Sequence, residues 1–247
     1  MNTTIQKMDN TIQNTKIDEL SLDILEVVSK YPFEAFTIDV IKDKISKQGD
    51  LKNYATVHRR VESLVNQGIL TKSMYGMASQ IRINLDNAKT ISILSLIETK
   101  KHARFLNKVK GTLFTSINEI IKDTSKLSEF IGVVVFGSYA KGRQTKDSDF
   151  DVLVIYGLPS IIKLSQEQYS KYNEDIKHSM MGILKTSELR GGPKINPIII
   201  SSGEHEEMIL NKEPNVAKET LLNHIILKGF SEYWREIAIC KQNVIQS

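Results

Sequence analysis

Two short apolar runs enclose a segment rich in charge and glycine: VVVFGSYAKGRQTKDSDFDVLVIYG, residues 133–157. Continuous runs of branched apolar residues of this length are typical of strands that are buried on both faces. The first run ends at Gly137-Ser138, and Asp149-Phe150-Asp151 opens the second. The sequence therefore predicts two buried strands whose neighbouring ends carry a polar site.

The residue types at these strand ends suit a metal-bound phosphate. Gly137 lets a ligand approach the backbone, and Ser138 offers a hydroxyl beside the free N–H groups of a helix start. Because side chains alternate along a strand, Asp149 and Asp151 point to one face and Phe150 to the other. Two adjacent carboxylates repel unless cations such as Mg²⁺ compensate them. The alternative interpretation is a pair of aspartates that caps a turn at a strand edge.

The spacing of these residues resembles the signature of a known superfamily. Gly137-Ser138 is followed by ten residues and then by the pair Asp149 and Asp151, with Ser148 just before the pair. This arrangement is similar to that of the polymerase-beta nucleotidyltransferases, especially the minimal nucleotidyltransferases. The resemblance covers about residues 131–200 and predicts a polymerase-beta-like domain with a small mixed sheet and flanking helices.

The resemblance implies a role for each matching residue. Asp149 and Asp151 would be catalytic and would ligate Mg²⁺ or Mn²⁺. The substrate or ligand would be an NTP, with ATP favoured. The implied nucleotide-binding residues are Gly137, Ser138, Lys141 and Arg143, of which the last two fall in the family's variable basic loop.

One expected acid is missing from the third predicted strand. Active members of the superfamily usually place a third carboxylate there, where it helps to activate the attacking hydroxyl. The corresponding strand, KINPIIIS at 194–201, contains no acid, and Asn196 is the candidate for the third position. An amide can orient a hydroxyl but cannot accept its proton. Glu204 follows the strand, and its spacing from Ser201 favours a helix capping box over catalysis.

The N-terminal region has a different pattern. Residues 17–87 predict three helices followed by a two-stranded hairpin around Tyr75-Gly76, and YATVHRRVESLVNQGIL resembles the recognition helix and first wing strand of winged helix-turn-helix regulators. Residues 51–85 carry five cationic side chains against Glu62. The predicted DNA contacts are Lys52, Thr56, Arg59, Arg60, Lys72 and Arg82. A solvated helix face, or a module for dimerisation or protein docking, is the alternative.

The predicted fold class is therefore a two-domain chain that combines α+β and α/β character. Its parts are a disordered leader (1–16), a winged helix-turn-helix domain (17–87), a helical linker (88–130) and a nucleotidyltransferase domain (131–247). The linker carries a basic patch formed by Lys100, Lys101, Arg104, Lys108 and Lys110. It could join the domains, pair with a second subunit from Ile91 onward, or extend a nucleic-acid surface. Beyond residue 201, the pattern predicts helices at about 203–211, 214–228 and 230–240.

Composition favours a cytoplasmic protein with no membrane association, since no apolar run approaches the roughly 20 residues that span a bilayer. A single cysteine, Cys240, suits a reducing compartment, and the five histidines show no zinc-ligand spacing. The predicted activity is Mg²⁺-dependent transfer of NMP from an NTP to a protein or RNA hydroxyl, coupled to DNA binding. Minimal family members often act in toxin–antitoxin pairs. The alternative is a nucleotide-sensing transcriptional regulator with a degenerate catalytic domain, and either could be a homodimer.

Overall fold

The computed structural model describes residues 17–46, 53–125, 130–157, 165–190 and 192–246. The predicted leader and the predicted DNA contact Lys52 lie outside the described residues. The described chain forms two compact units. The first comprises residues 17–29 and Phe33–Asn84, and the second comprises Lys30–Pro32 and the residues from Leu85 onward.

The first unit consists of three helices and a hairpin, as the sequence predicts. The elements are α1 (Glu19–Ser29), α2 (Ile38–Ser46), α3 (Tyr54–Asn66), β1 (Leu70–Tyr75) and β2 (Ala78–Ile83). Strands β1 and β2 are antiparallel, and Gly76 takes a φ of +59° in the turn between them. The apolar faces of these elements form a buried core of Ile24, Leu25, Val28, Ile41, Ile45, Val57, Val61, Leu64, Ile81 and Ile83.

Side-chain caps begin the three helices of this unit. Ser21 donates its backbone N–H to Asp18 at 3.0 Å at the start of α1. Thr37 accepts from the Val40 N–H at 3.4 Å at the start of α2, and Asn53 accepts from the Ala55 N–H at 2.9 Å at the start of α3. Such caps satisfy N–H groups that have no partner inside the helix, so they fix where each helix begins.

The second unit is built around a four-stranded mixed sheet. Its elements are α4 (Ala88–Lys108), α5 (Thr112–Thr124), β3 (Phe130–Val135), α6 (Gly137–Ala140), β4 (Phe150–Tyr156), α7 (Gln166–Leu189), β5 (Ile195–Ser201), α8 (Ser202–Leu210), α9 (Val216–Leu222), β6 (Ile225–Lys228) and α10 (Phe230–Gln246). The strand order is β5-β4-β3-β6. Strands β4 and β5 are parallel, whereas β3 is antiparallel to both of its neighbours.

Helices cover both faces of this sheet. On one face, α4, α5 and α7 contribute Phe105, Ile117 and Met180 to a core that includes Phe150 and Val152 of β4. On the other face, α8 and α10 pack against the strands. The two helices predicted as a linker, α4 and α5, thus lie in the second unit and pack on its sheet.

The fourth strand corrects the sequence prediction. Residues 214–228 were expected to be helical, but α9 ends at Leu222 and Ile225–Lys228 form β6. A short apolar run such as HIILK does not distinguish a helix from a strand by its periodicity. Pairing with the free edge of β3 decides the conformation, because unpaired backbone groups there would lack hydrogen bonds.

Most of the apolar half of α4 is buried within the chain. Ile91, from which a second subunit was expected to pair, is 6% exposed, and Leu94 is fully buried. Leu96 is 49% exposed, so little apolar surface apart from this side chain is left for another copy. Within the described residues, no helix combines the length and apolar character needed to cross a lipid bilayer.

Candidate functional site

Strand β4 presents the two predicted metal-binding aspartates at its N-terminal end. Phe150 is fully buried in the core, whereas Asp149 and Asp151 on either side of it are partly exposed. The backbone N–H of Phe136 donates to the Asp151 carbonyl at 3.1 Å, so the end of β3 is fixed beside the aspartates. The strand alternation thus places both carboxylates at the sheet edge where β3 turns into α6.

Gly137 lies directly against the Asp151 carboxylate. Its φ is +65°, and a Cβ built on it would lie 2.1 Å from Asp151 Oδ2. No other residue type fits this position without moving the aspartate, and a positive φ is itself strained for residues with a side chain. The Asp151 carboxylate therefore occupies the space that a side chain at position 137 would fill.

Strand β5 places one amide and one amine beside the two carboxylates. Asn196 is in register with Asp151, and its Nδ2 donates to Asp151 Oδ1 at 2.9 Å. Lys194 Nζ lies 3.0 Å from Asp149 Oδ2, with exposed fractions of 72% for the lysine and 39% for the aspartate. The position predicted for a third carboxylate is therefore next to Asp151, and an amide occupies it.

Lys194 was not among the site residues predicted from the sequence. The sequence did contain a sign of it, because Lys194 directly precedes β5 and lies two residues before Asn196, a spacing that puts side chains on one face of a strand. The contact itself depends on the parallel register of β4 and β5, in which Phe150 opposes Ile195. Since the Lys194 side chain is well exposed, this ion pair is weak and open to exchange with solvent ions.

The two predicted basic contacts in the loop between α6 and β4, Lys141 and Arg143, differ in their surroundings. Lys141 Nζ pairs with Glu219 Oε1 of α9 at 2.6 Å, so the lysine is held by an acid within its own unit. Arg143 donates its backbone N–H to the Ser138 carbonyl at 2.9 Å, and its side chain is exposed. Arg143 is thus the more available of the two cations, while Ser138 lies half-buried in α6.

Glu204 serves as the predicted capping residue. It accepts from the Ser201 N–H at 2.6 Å while Ser201 Oγ accepts from the Glu204 N–H at 3.2 Å, which completes the capping box of α8. Burial raises the pKa of Glu204, but hydrogen bonds from Ser201 and Lys177 outweigh it and leave that pKa below its ordinary value. The Glu204 carboxylate is therefore engaged in capping the N-terminus of α8.

The aspartate pair suits a divalent cation. Carboxylate oxygens are the ligands that Mg²⁺ and Mn²⁺ prefer, and Mg²⁺ is commonly held by one or two carboxylates together with substrate phosphates. Because Gly137 has no side chain, it does not block the adjacent side of the Asp151 carboxylate. Asp149 and Asp151 would hold the metal, in exchange for their present contacts with Lys194 and Asn196.

A basic cleft of about 400 Å³ adjoins the same loop. Helix α4 lines it with Lys101, Arg104 and Lys108, whose spacing of three and four residues puts them on one helix face. Tyr139 and Gly142 of the loop region line its other side. This region of the second unit therefore carries a cluster of basic side chains, of which Lys101 pairs with Glu98.

In the first unit, α3 exposes two of the predicted DNA contacts, Thr56 and Arg59. Three others have partners. Arg60 pairs with Asp18, Lys72 Nζ lies 2.5 Å from Glu62 Oε1, and Arg82 reaches Ser73 at 3.4 Å. These contacts leave Arg59 as the most accessible cation of the described part of α3.

Comparison with known proteins identifies one family. Residues 117–183 match the family model described as the nucleotidyltransferase domain, a range that spans α5 residues, the Gly-Ser pair and both aspartates. No curated protein sequence matches the chain. A solved structure described as a toxin–antitoxin with AMP-PNP aligns at 14% identity and a TM-score of 0.29, covering 53% of this chain and 86% of its own. The segment that contains the candidate site is thus a match to the nucleotidyltransferase domain.

Proposed function

We propose that the second unit is a Mg²⁺- or Mn²⁺-dependent nucleotidyltransferase that transfers NMP from an NTP to a protein or RNA hydroxyl and releases pyrophosphate. The observation that carries this proposal is the placement of Asp149 and Asp151 on one face of β4, with the backbone of Gly137 against Asp151. This geometry lies in the segment that matches the nucleotidyltransferase family.

The chain's own residues would position the reactants. Gly137 and Ser138 would contact the β- and γ-phosphates, with Arg143 as an additional cation. The bond that forms joins the acceptor oxygen to the α-phosphorus, and the bond that breaks joins the α-phosphorus to the oxygen bridging to the β-phosphate, which leaves with pyrophosphate. The proton of the acceptor hydroxyl passes to water or to the released pyrophosphate. A metal held by Asp149 and Asp151 would neutralise charge on the phosphates. Asn196 would orient the acceptor hydroxyl without taking its proton.

The basic cleft supports RNA over protein as the acceptor. Arg104, Lys108 and Lys110 are exposed around it, and they have no acidic partner within the described residues. Clustered cations on one helix face bind polyanions through their phosphates. A nucleic-acid chain bound there would run beside the loop that connects the glycine–serine pair to the aspartates.

A nucleotide sensor is the second candidate, and β5 favours it. Lys194 and Asn196 stand beside the two carboxylates where a third acid would be expected, so the proton acceptor is missing from this strand. In this case the first unit would be a winged helix that binds DNA through Thr56 and Arg59. The second unit would then report nucleotide levels to it.

Thermal unfolding tests nucleotide binding for both candidates. A ligand at 100 times its Kd stabilises the native state by about 2.7 kcal/mol, so Mg²⁺ with ATP is expected to raise the Tm of the wild-type chain. D149N/D151N is expected to remove this shift while leaving the Tm without ligand nearly unchanged, because both side chains are partly exposed. An equal shift in the double variant would place nucleotide binding elsewhere.

A further inference from the structure

Three side chains with metal-binding atoms converge between α8 and α10, on the sheet face that these helices cover. They are His205 of α8 and Glu236 and Cys240 of α10, and their ligand atoms all lie within 4.8 Å of one another. Glu236 and Cys240 are four residues apart, so they share one face of the helix. His205 and Cys240 are fully buried, and Glu236 is 7% exposed.

The histidine in this cluster lacks the hydrogen bonds that a buried imidazole normally makes. Within the described residues, neither ring nitrogen of His205 has a hydrogen-bond partner. Its Nδ1 faces Glu236 Oε1 at 3.7 Å, which is too long for a hydrogen bond. Buried polar groups are nearly always paired, and an exception in a native fold calls for an unseen water or ion.

The cluster also contains a buried carboxylate, because Glu236 is only 7% exposed. A divalent cation among these groups would neutralise that carboxylate and would give the imidazole nitrogen a partner. Its ligands would be one nitrogen, one oxygen and one sulfur.

We propose that His205, Glu236 and Cys240 form a Zn²⁺ site that ties α8 to α10. Zn²⁺ binds imidazole, carboxylate and thiolate at about 2.0 to 2.3 Å in tetrahedral geometry, which places its ligand atoms about 3.3 to 3.8 Å apart. A nitrogen–oxygen pair on Zn²⁺ lies at the short end of this range, at about 3.3 to 3.5 Å. His205 Nδ1 and Glu236 Oε1 are 3.7 Å apart and all ligand atoms lie within 4.8 Å, so the side chains would draw slightly closer around the ion. A thiolate and an imidazole exclude Mg²⁺ and Ca²⁺, which select oxygen ligands.

The site was not visible in the sequence, because His205 and the Glu236–Cys240 pair are far apart along the chain. The packing of α8 against α10 brings them together. The proposal does not depend on nucleotide transfer, since none of the three residues belongs to the aspartate site on β4.

Titration with Co²⁺ alone, under reducing conditions, tests the proposal. The full chain would carry D149N/D151N so that the aspartate site does not contribute. We expect binding of one equivalent of Co²⁺, a near-ultraviolet charge-transfer band from a thiolate ligand, and loss of the band when Zn²⁺ is added. Zn²⁺ is also expected to raise the Tm.

Two variants and one control make the result specific. C240S changes a single atom, and H205Q keeps a polar side chain, so both are expected to fold, as circular dichroism would verify. Each should weaken Co²⁺ binding by more than the about 10- to 100-fold loss that outer-shell changes cause, and C240S should lose the band. H178Q, at an exposed histidine of α7, should bind as the parent does. Absence of the band in the parent, or a band that persists in C240S, would overturn the proposal.

Discussion

At the scale of single residues, Gly137 makes the sharpest prediction. G137A would place a methyl group 2.1 Å from the present position of Asp151 Oδ2, so the carboxylate must move. We expect the variant to lose the Tm shift caused by Mg²⁺ and ATP. Because of the positive φ, the alanine variant should also have a free energy of unfolding about 1 kcal/mol lower. This loss of stability alone would not change ligand binding.

Gly76 provides the matched control for this substitution. It has a φ of +59°, and a Cβ built on it meets no atom within 4 Å. G76A should therefore show a similar loss of stability but keep the full Tm shift with Mg²⁺ and ATP. If G137A also keeps the shift, the contact between Gly137 and Asp151 has no part in ligand binding.

Most of the residues at the site could be predicted from local patterns, but their partners could not. Strand alternation indicated that Asp149 and Asp151 share a face, and the resemblance to the nucleotidyltransferases gave Asn196 as the candidate for the third position. The pairs Lys194–Asp149 and Lys141–Glu219 join residues far apart in the sequence. Such pairs depend on sheet register and helix packing, which a single sequence does not reveal.

At the scale of elements, a buried charge cluster joins α4 to the segment between α9 and β6. Glu98 is fully buried, with Lys101 Nζ at 2.9 Å and His224 Nε2 at 3.2 Å. Burial acts to raise the pKa of Glu98, but the charges of His224 and Lys101 outweigh it, so the net shift is downward. The carboxylate therefore remains ionised in the folded protein.

Replacing this carboxylate is expected to be costly. E98Q should lower the free energy of unfolding by about 3–5 kcal/mol, because it leaves the largely buried Lys101 ammonium without its ion-pair partner. E119Q breaks the exposed pair between Glu119 and Arg190 and should cost less than about 1 kcal/mol. Urea denaturation of the two variants checks the difference, and equal stabilities would contradict the role of the cluster.

The pH dependence follows from the direction of the shift. Because the folded pKa of Glu98 is lowered, its contribution to stability is present above the ordinary glutamate pKa and is lost as the pH falls through the folded value. E98Q should show less loss of stability in acid than the wild-type chain.

The elements of the first unit make a prediction about DNA. Arg59 is exposed on α3, and a guanidinium that contacts a guanine contributes about 1–3 kcal/mol of discrimination. R59A should relax the sequence preference of DNA binding, whereas K72A should weaken binding to all sequences and reduce its salt dependence. Electrophoretic mobility shifts at several salt concentrations would separate the two. No binding of the full chain at low salt would favour a docking module.

Element predictions succeeded where the apolar period was long and failed where it was short. The helices of the first unit and the strands β3, β4 and β5 each span six or more residues. Strand β6 spans only Ile225–Lys228 and owes its conformation to the neighbouring β3. No local signal distinguishes such a segment from the end of a helix.

At the scale of the whole molecule, the question is whether the second unit turns over its nucleotide. In the proposed enzyme, Asp149 and Asp151 would supply the positioning and the charge neutralisation. Without an acid on β5, that enzyme would lack its general base, and such assistance is typically worth about 10²- to 10⁴-fold in rate. We therefore expect a slow enzyme rather than an inactive one.

The most direct measurement is the transfer of label from each α-³²P-labelled NTP to RNA and protein of a cell extract, with Mg²⁺ or Mn²⁺. We predict weak labelling that D149N abolishes and N196D accelerates, because the aspartate supplies the missing proton acceptor beside Asp151. Digestion with ribonuclease or with a proteinase identifies the acceptor. No labelling by the wild-type chain or by N196D, while Mg²⁺ with ATP still raises the Tm, would contradict the enzyme and leave the nucleotide sensor.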